Sequence, residues 1–360
     1  MLLIDGHNDL PWALRDLGDD LDLRAGTVGQ THTDLPRLRA GDVGGQFWSV
    51  YVPSSDPTPV STVLEQIDRA RRLIRRYPDT LAFARTADEV RTAAEHGQIA
   101  SLLGAEGGHC IDSDLAILRC LYELGVRYMT LTHNANVPWA DSATDEPVLG
   151  GLSDFGREVV HEMQRIGMLV DLSHVSPGTM RDALHTAQAP VIFSHSSAKA
   201  ICASPRNVPD DVLEGLAANG GVCMVTFVPS FVSQESADWW EGLKVEAARR
   251  GIDRRDIGAV ATIEPEWRAS HPSPRSTLAQ VADHVEHVRS VAGVEHVGIG
   301  GDFDGTSQVT EGLEDVSKYP ALFAELRARG WSEADMTALA GANVLRVLRD
   351  AESYAARSIV

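Results

Sequence analysis

Short apolar runs punctuate the chain, and most of them end in a residue able to bind a metal or move a proton. The first is Leu2-Leu3-Ile4, which runs into Asp5-Gly6-His7-Asn8-Asp9. The others are Gln46–Val52, Ile99–Glu106, Tyr128–His133, Met168–His174, Val191–Ser196, Gly221–Val228 and His296–Asp302. Each has the length and apolar content of a strand buried on both faces. Between them the period changes to that of helices. Val63–Arg76 places Leu64, Ile67, Ala70 and Ile74 on one side and a row of arginines on the other. Thr86–His96 opens Thr-Ala-Asp-Glu, a capping box. Further helical patterns cover Asp114–Leu124, Ser153–Ile166 with Gly167 as its stop, the stretch from Pro209 to Ala217, and Thr277–Ala292. The end of the chain reads as helices at Tyr319–Arg329, Ser332–Leu339 and Ala342–Leu348.

Eight strands alternating with helices predict a single (β/α)₈ barrel of the TIM type over residues 1–360. A doubly wound open sheet explains less well why polar residues close six of the eight strands. From Pro229 to about Pro274 the alternation breaks. Trp239-Trp240, Trp267, three prolines and clustered charges mark an insertion, at about 231–274, that follows a strand and so belongs over the reactive rim.

Composition narrows the partners. Thirty-two basic against 51 acidic residues give a formal charge of -19, which argues against nucleic acid or an anionic membrane surface. Cys110, Cys120, Cys202 and Cys223 form no Cys-x-x-Cys pair and read as core residues in a reducing compartment. Neither a signal peptide, nor a long apolar span, nor a lipid-anchor signal is recognisable, so a cytoplasmic location is expected.

The chemistry collects at the strand ends: His7 and Asp9, Glu106, His133, His174, His195 and Asp302. Each has a bland reading alone, as a turn or capping residue. The same coincidence at strand after strand is harder to sustain, because a closed parallel barrel brings all these ends to one rim. The donors are nitrogen and oxygen, as divalent transition metals prefer. One catalytic zinc needs only three protein ligands, and here His7 with Asp9 and His174 with His195 make two half-sites that Glu106 could bridge. Two cations about 3.5–4 Å apart would activate a shared water. His284 and His287, at (i, i+3) on a helix, read instead as a solvated face.

The motifs Asp5-Gly6-His7-Asn8-Asp9, Glu106-Gly107-Gly108-His109, Leu131-Thr132-His133-Asn134, Asp171-Leu172-Ser173-His174, Phe193-Ser194-His195-Ser196, Arg206-Asn207-Val208-Pro209-Asp210 and Gly300-Gly301-Asp302-Phe303-Asp304-Gly305 together resemble the membrane (renal) dipeptidase family, binuclear zinc peptidases of the amidohydrolase superfamily. The resemblance runs from residue 2 to about 350. It implies two Zn²⁺, one on His7 and Asp9 and the other on His174 and His195, with Glu106 between them. It further implies that Asp302 handles the proton, that His133 polarises the scissile carbonyl and that Arg206 holds the substrate carboxylate. The expected activity is hydrolysis of free dipeptides, L-Xaa-D-Xaa included, by a homodimer. Competing readings are a binuclear amidohydrolase acting on a cyclic amide, lactam or lactone, and a non-catalytic metal-bound scaffold.

Overall fold

The computed structural model describes residues 1–358 and contains nine parallel strands. They are β1 (Leu3–Asn8), β2 (Val43–Tyr51), β3 (Leu81–Phe83), β4 (Ile99–Glu106), β5 (Val126–Thr130), β6 (Leu169–Asp171), β7 (Ile192–Phe193), β8 (Val222–Val225) and β9 (Val297–Ile299). Eight of them follow the order β2-β1-β9-β8-β7-β6-β5-β4, and pairing of β2 with β4 closes the ring. The (β/α)₈ barrel is therefore the fold. Strand β3 was not anticipated. It pairs with Ile99–Ser101 at the start of β4, on the edge whose later residues, Leu103–Glu106, take β5. It fills a gap below β5 without entering the ring.

The interior of the barrel is layered. Ile4, Phe47, Leu102, Tyr128, Leu169, Ile192, Val222 and Met224 share one apolar cluster, joined by Val344, Leu345 and Leu348 of the last helix. That helix, Asn343–Ser358, follows a π-helical turn, Ala338–Ala342, pressed against the start of β1. A Cβ on Gly341 would fall 2.4 Å from the Leu2 carbonyl oxygen, so only glycine permits the approach. The helix thus plugs the end of the barrel where the strands begin. Towards the carboxyl ends of the strands the inward column turns polar: Ser49, Glu106, Thr130, Asp171 and Ser194 are all buried. Apolar side chains carry stability below, and polar ones occupy the layer beneath the opposite mouth.

The helices form largely as their sequences dictate, with local differences. The predicted Val63–Arg76 segment begins at Pro59, where the proline occupies a first-turn position that needs no N–H donor. Its buried stripe is Val63, Ile67, Ala70, Leu73 and Ile74, while Leu64 is 42 % exposed and belongs to the outer face. Half of the expected capping box at Thr86 forms: its side chain accepts from Glu89 N, but Glu89 Oε2 accepts from Arg85 N instead of Thr86 N. The helix Leu278–Ala292 does carry a complete box, built by Thr277 and Gln280.

The insertion forms helices at Pro229–Val232, Gln234–Arg249, Ile257–Ala261 and Glu264–Ser270. Trp239, Leu243, Ala247 and Val260 give it a small core of its own. It is tied to the loops that follow β5 and β9. Arg255 Nη1 lies 3.0 Å from Asp145 Oδ2, and Asn134 Nδ2 donates to the Arg255 carbonyl. Glu264 accepts from Ser307 Oγ at 2.9 Å and Gln308 Nε2 at 3.0 Å. The arm therefore reaches the rim to which His133 and Asp302 belong. Among the described residues no helix is long and apolar enough to cross a membrane.

Candidate metal centre

Burying this many ionisable groups together is costly unless they have partners. Glu106, the last residue of β4, is the hub. Its Oε2 lies 3.4 Å from His7 Nε2, and its Oε1 lies 3.1 Å from His174 Nε2 and 3.5 Å from His195 Nε2. His7 Nε2 is also 3.4 Å from Asp9 Oδ2 and 3.9 Å from Asp302 Oδ1. The two imidazoles of the other group approach to 3.0 Å, Nε2 to Nε2. His133 Nε2 stands 3.9 Å from Glu106 Oε1. All the strand-end residues read from the sequence thus converge on one pocket, and every one is less than a tenth exposed.

The turns that aim these side chains leave regular structure early. Regular pairing of β6 and β7 stops at Asp171 and Phe193, so Ser173-His174 and Ser194-His195 sit on irregular backbone just above the ring. His174 and Asp302 have left-handed backbone, with φ of 67° and 61°. Both residue types are among those that tolerate this region best, at some cost in strain. Asp9 turns out of β1 directly into the helix Leu10–Leu17.

Supporting bonds orient the donors. His7 Nδ1 meets Tyr128 Oη at 2.8 Å, inside the barrel. Gly104 makes room for that tyrosine, since a Cβ there would sit 2.0 Å from the Tyr128 ring. Ser49 Oγ donates to Glu106 Oε2 at 3.0 Å. Ser194 Oγ lies 2.8 Å from His195 Nδ1. Asp5 accepts from His7 N, Gln46 Nε2, Gly301 N and Tyr319 Oη, and thereby ties β1 to β2 and to the turn carrying Asp302. Sequence reading gave none of Tyr128, Ser49, Ser194, Asp5 or Asp171 a role. The signal available was an aspartate two or three residues before a histidine in both Asp5-Gly6-His7 and Asp171-Leu172-Ser173-His174.

The electrostatics describe a pocket short of positive charge. Burial pushes the Glu106 carboxyl up, and it pushes Asp302 well above the usual carboxylate range, with Asp9 nearby adding to both. Burial holds His133, His174 and His195 well below the ordinary imidazole value, which leaves all three neutral. Burial also disfavours the His7 imidazolium, but Tyr128, Glu106 and Asp9 outweigh it and raise that group. Several buried atoms lack any hydrogen-bond partner: His7 Nε2, Asp9 Oδ1, His133 Nδ1 and His174 Nδ1. Two imidazole nitrogens facing each other at 3.0 Å cannot both keep a lone pair there unless something positive lies between them. A divalent cation supplies what the cluster lacks, so the donor set fits a metal centre. Three overlapping groups of donors are close enough to hold an ion: His7, Glu106 and His195; Glu106, His133 and His174; and His7, Asp9 and Asp302.

Arg206 is fully within the protein at 3 % exposure. Its Nη2 donates to the His195 carbonyl at 3.3 Å, its guanidinium stacks over Phe231, and its Nε and Nη1 have no partner. Burial lowers its pKa to about 10, while the nearby Asp302 and Glu106 carboxylates oppose that shift. Of the two helical histidines read as a solvated face, His284 is not solvated. It is completely buried, with Nδ1 accepting from Ala198 N and Nε2 donating to the Val232 carbonyl. His287 is half-buried and pairs with Asp210.

Known proteins resemble this chain in sequence and fold. Dipeptidase 3 of Mus musculus is 41 % identical over 368 residues, which cover 99 % of this chain; the chain spans 66 % of that relative's length. The probable dipeptidase PvdM from Pseudomonas aeruginosa superimposes with a TM-score of 0.85 at 24 % identity, over 98 % of this chain and 96 % of its own, and shows the common fold. A metallopeptidase from Rhodobacter sphaeroides, solved with a phosphinate mimic of the dipeptide L-Ala-D-Ala, has a TM-score of 0.79 at 25 % identity over 98 % of this chain and 99 % of its own. The family profile for membrane dipeptidases matches residues 1–359, and with that near end-to-end match the chain belongs to peptidase family M19.

Proposed function

We propose that this protein is a metal-dependent dipeptidase that hydrolyses the peptide bond of free dipeptides, L-Xaa-D-Xaa substrates among them. One observation carries the reading: a buried cluster of metal donors around Glu106 lies beside a buried guanidinium that has two N–H groups to spare. A dipeptide offers both a carbonyl to attack and a carboxylate to hold. The L-Ala-D-Ala mimic bound by the Rhodobacter sphaeroides relative supports the substrate class.

In this reading His7 and Asp9 would hold one zinc ion and His174 and His195 the other, and Glu106, with one oxygen facing each group, would serve both. Bound there, divalent cations polarise the substrate carbonyl and lower the pKa of water at the site. Asp302, 3.9 Å from His7 Nε2 on the turn after β9, takes the proton as water attacks and returns it to the leaving amine. His133 is neutral and donates its N–H to the oxygen that gains charge in the transition state. Arg206 takes the C-terminal carboxylate with guanidinium N–H groups that no other described residue engages.

A dipeptide panel assayed before and after chelation tests the activity, with metal restored in a third arm. Hydrolysis lost on chelation and regained with zinc is expected. Fully loaded protein that cleaves none of the panel would reject the proposal. Arg206→Ala separates a dipeptidase from an enzyme of cyclic amides or lactones. KM for dipeptides should rise about 10- to 100-fold, in line with ~1.5–3 kcal/mol for a hydrogen bond to a charged group. A substrate without a free carboxylate should not notice the change.

A further inference from the structure

Beneath the His174 and His195 pair lies Asp171, the last residue of β6, completely buried and not itself among the metal donors. Its four short contacts all come from donors. Oδ1 accepts from Ser173 N at 3.1 Å and Ser194 N at 2.8 Å. Oδ2 accepts from Thr130 Oγ1 and from Ser194 Oγ, both at 2.6 Å. The carboxylate therefore joins β5, β6 and the turn after β7, and it fixes the backbone immediately before both histidines.

The direction of the chain of bonds matters more than its existence. A carboxylate only accepts, so the single proton of the Ser194 hydroxyl goes to Asp171 Oδ2. Ser194 Oγ, whose contact with Ser173 Oγ is longer at 3.4 Å, must then accept at its next-shortest contact, 2.8 Å from His195 Nδ1. That contact places the imidazole proton on Nδ1 and leaves the lone pair on Nε2, the nitrogen that faces Glu106 at 3.5 Å and His174 at 3.0 Å. Outer carboxylates that set a ligand's tautomer in this manner change metal affinity about 10- to 100-fold.

We infer that Asp171 is a positioning residue that acts through the Ser194 hydroxyl to hold His195 in its Nε2-coordinating tautomer, and so governs the His174–His195 half of the centre and not the His7–Asp9 half. The inference rests on the metal reading above. Asp5 is the corresponding carboxylate for the other half, where it contacts His7 N and Gly301 N. No hydroxyl relay connects it to an imidazole.

Asp171→Asn tests the relay because it preserves shape and changes one acceptor into a donor. The backbone N–H groups of Ser173 and Ser194 cannot reverse, so the amide oxygen takes their side and the NH₂ faces the two hydroxyls. Ser194 then accepts from the amide and points its proton at His195 Nδ1, which moves the imidazole proton to Nε2. In metal-free protein labelled with ¹⁵N-histidine, NMR should show His195 as the Nδ1–H tautomer in the wild type and as Nε2–H in Asp171→Asn. Titration with Zn²⁺ by calorimetry should show two equivalents for the wild type. The variant should keep one and bind the second about 10- to 100-fold more weakly, and Ser194→Ala should weaken that same equivalent. An unchanged His195 tautomer, or two zinc ions bound by Asp171→Asn within threefold of wild type, would overturn the inference. If circular dichroism shows that Asp171→Asn does not fold, unaltered zinc affinity in Ser194→Ala overturns it instead. Wild-type protein that takes up no stoichiometric zinc defeats the metal reading, whereas the tautomer measurement on metal-free protein still decides the role of Asp171.

Discussion

The pocket around Glu106 and the arm above it are built on opposite terms. In the pocket, residues from six strand ends are buried together, each contact is within the protein, and unpaired atoms point inward. The arm has a four-residue core of its own and holds the rim partly through side chains near water: Arg255 is 41 % exposed in its pair with Asp145. Charges withdrawn from water interact strongly and tolerate little change, whereas exposed pairs contribute about 1 kcal/mol or less. The contrast separates a centre that tolerates little change from an arm that tolerates more.

The largest effect is expected from Glu106→Gln, which removes the carboxylate common to both halves of the centre. kcat/KM should drop at least about 10³-fold, equivalent to ~4 kcal/mol, and metal content measured on the purified protein should fall with it. Retention of both metal and rate would break the contrast at its centre. Arg255→Ala should do far less: KM should move by less than about threefold and kcat hardly at all, while proteolysis of the arm should quicken. A loss comparable to that of Glu106→Gln would show the arm to be part of the catalytic machinery.

The smallest effect concerns pH. Burial draws the Asp145 carboxyl upward, but the N–H groups of Asn136 and Glu146 and the Arg255 guanidinium outweigh it and hold the group below its ordinary value. A depressed carboxylate pKa stabilises the fold fully above the unfolded value, and the contribution disappears as pH falls through the folded one. The tie should therefore be at full strength at neutral pH and loosen only below about pH 4. Proteolysis of the arm followed from pH 7 to pH 3 with an acid-tolerant protease checks the direction. Earlier loosening, near pH 6, would mean that another group controls it.

Much of this was legible in the sequence because a parallel barrel strand is apolar throughout, and its last residues alone are free to differ. Glu106 ends Ile99–Glu106 in the sequence and in the structure alike. Strand β3 was not legible, since Leu81-Ala82-Phe83 is too short to carry a period. Asp171 and Ser194 look like ordinary strand-end polar residues until the neighbouring strands bring Thr130 against the first and Ser173 against the second. His284 shows why a charged-looking face misleads. Helical spacing locates the residue, but only tertiary structure supplies the Ala198 N–H and Val232 carbonyl that make a buried imidazole affordable.

The left-handed backbone at His174 has a consequence for descent as well as for catalysis. Glycine adopts φ near 67° without penalty, and an alanine there does not escape it. Stripped of metal, His174→Gly should melt at a higher temperature than His174→Ala, with a difference of about 1 kcal/mol, though both lose an imidazole of the cluster. Equal melting temperatures would mean the turn relaxes in either variant. Where the penalty is real, a lineage released from selection for hydrolysis could gain robustness by drifting to glycine here, and histidine at this position would be a mark of a working enzyme.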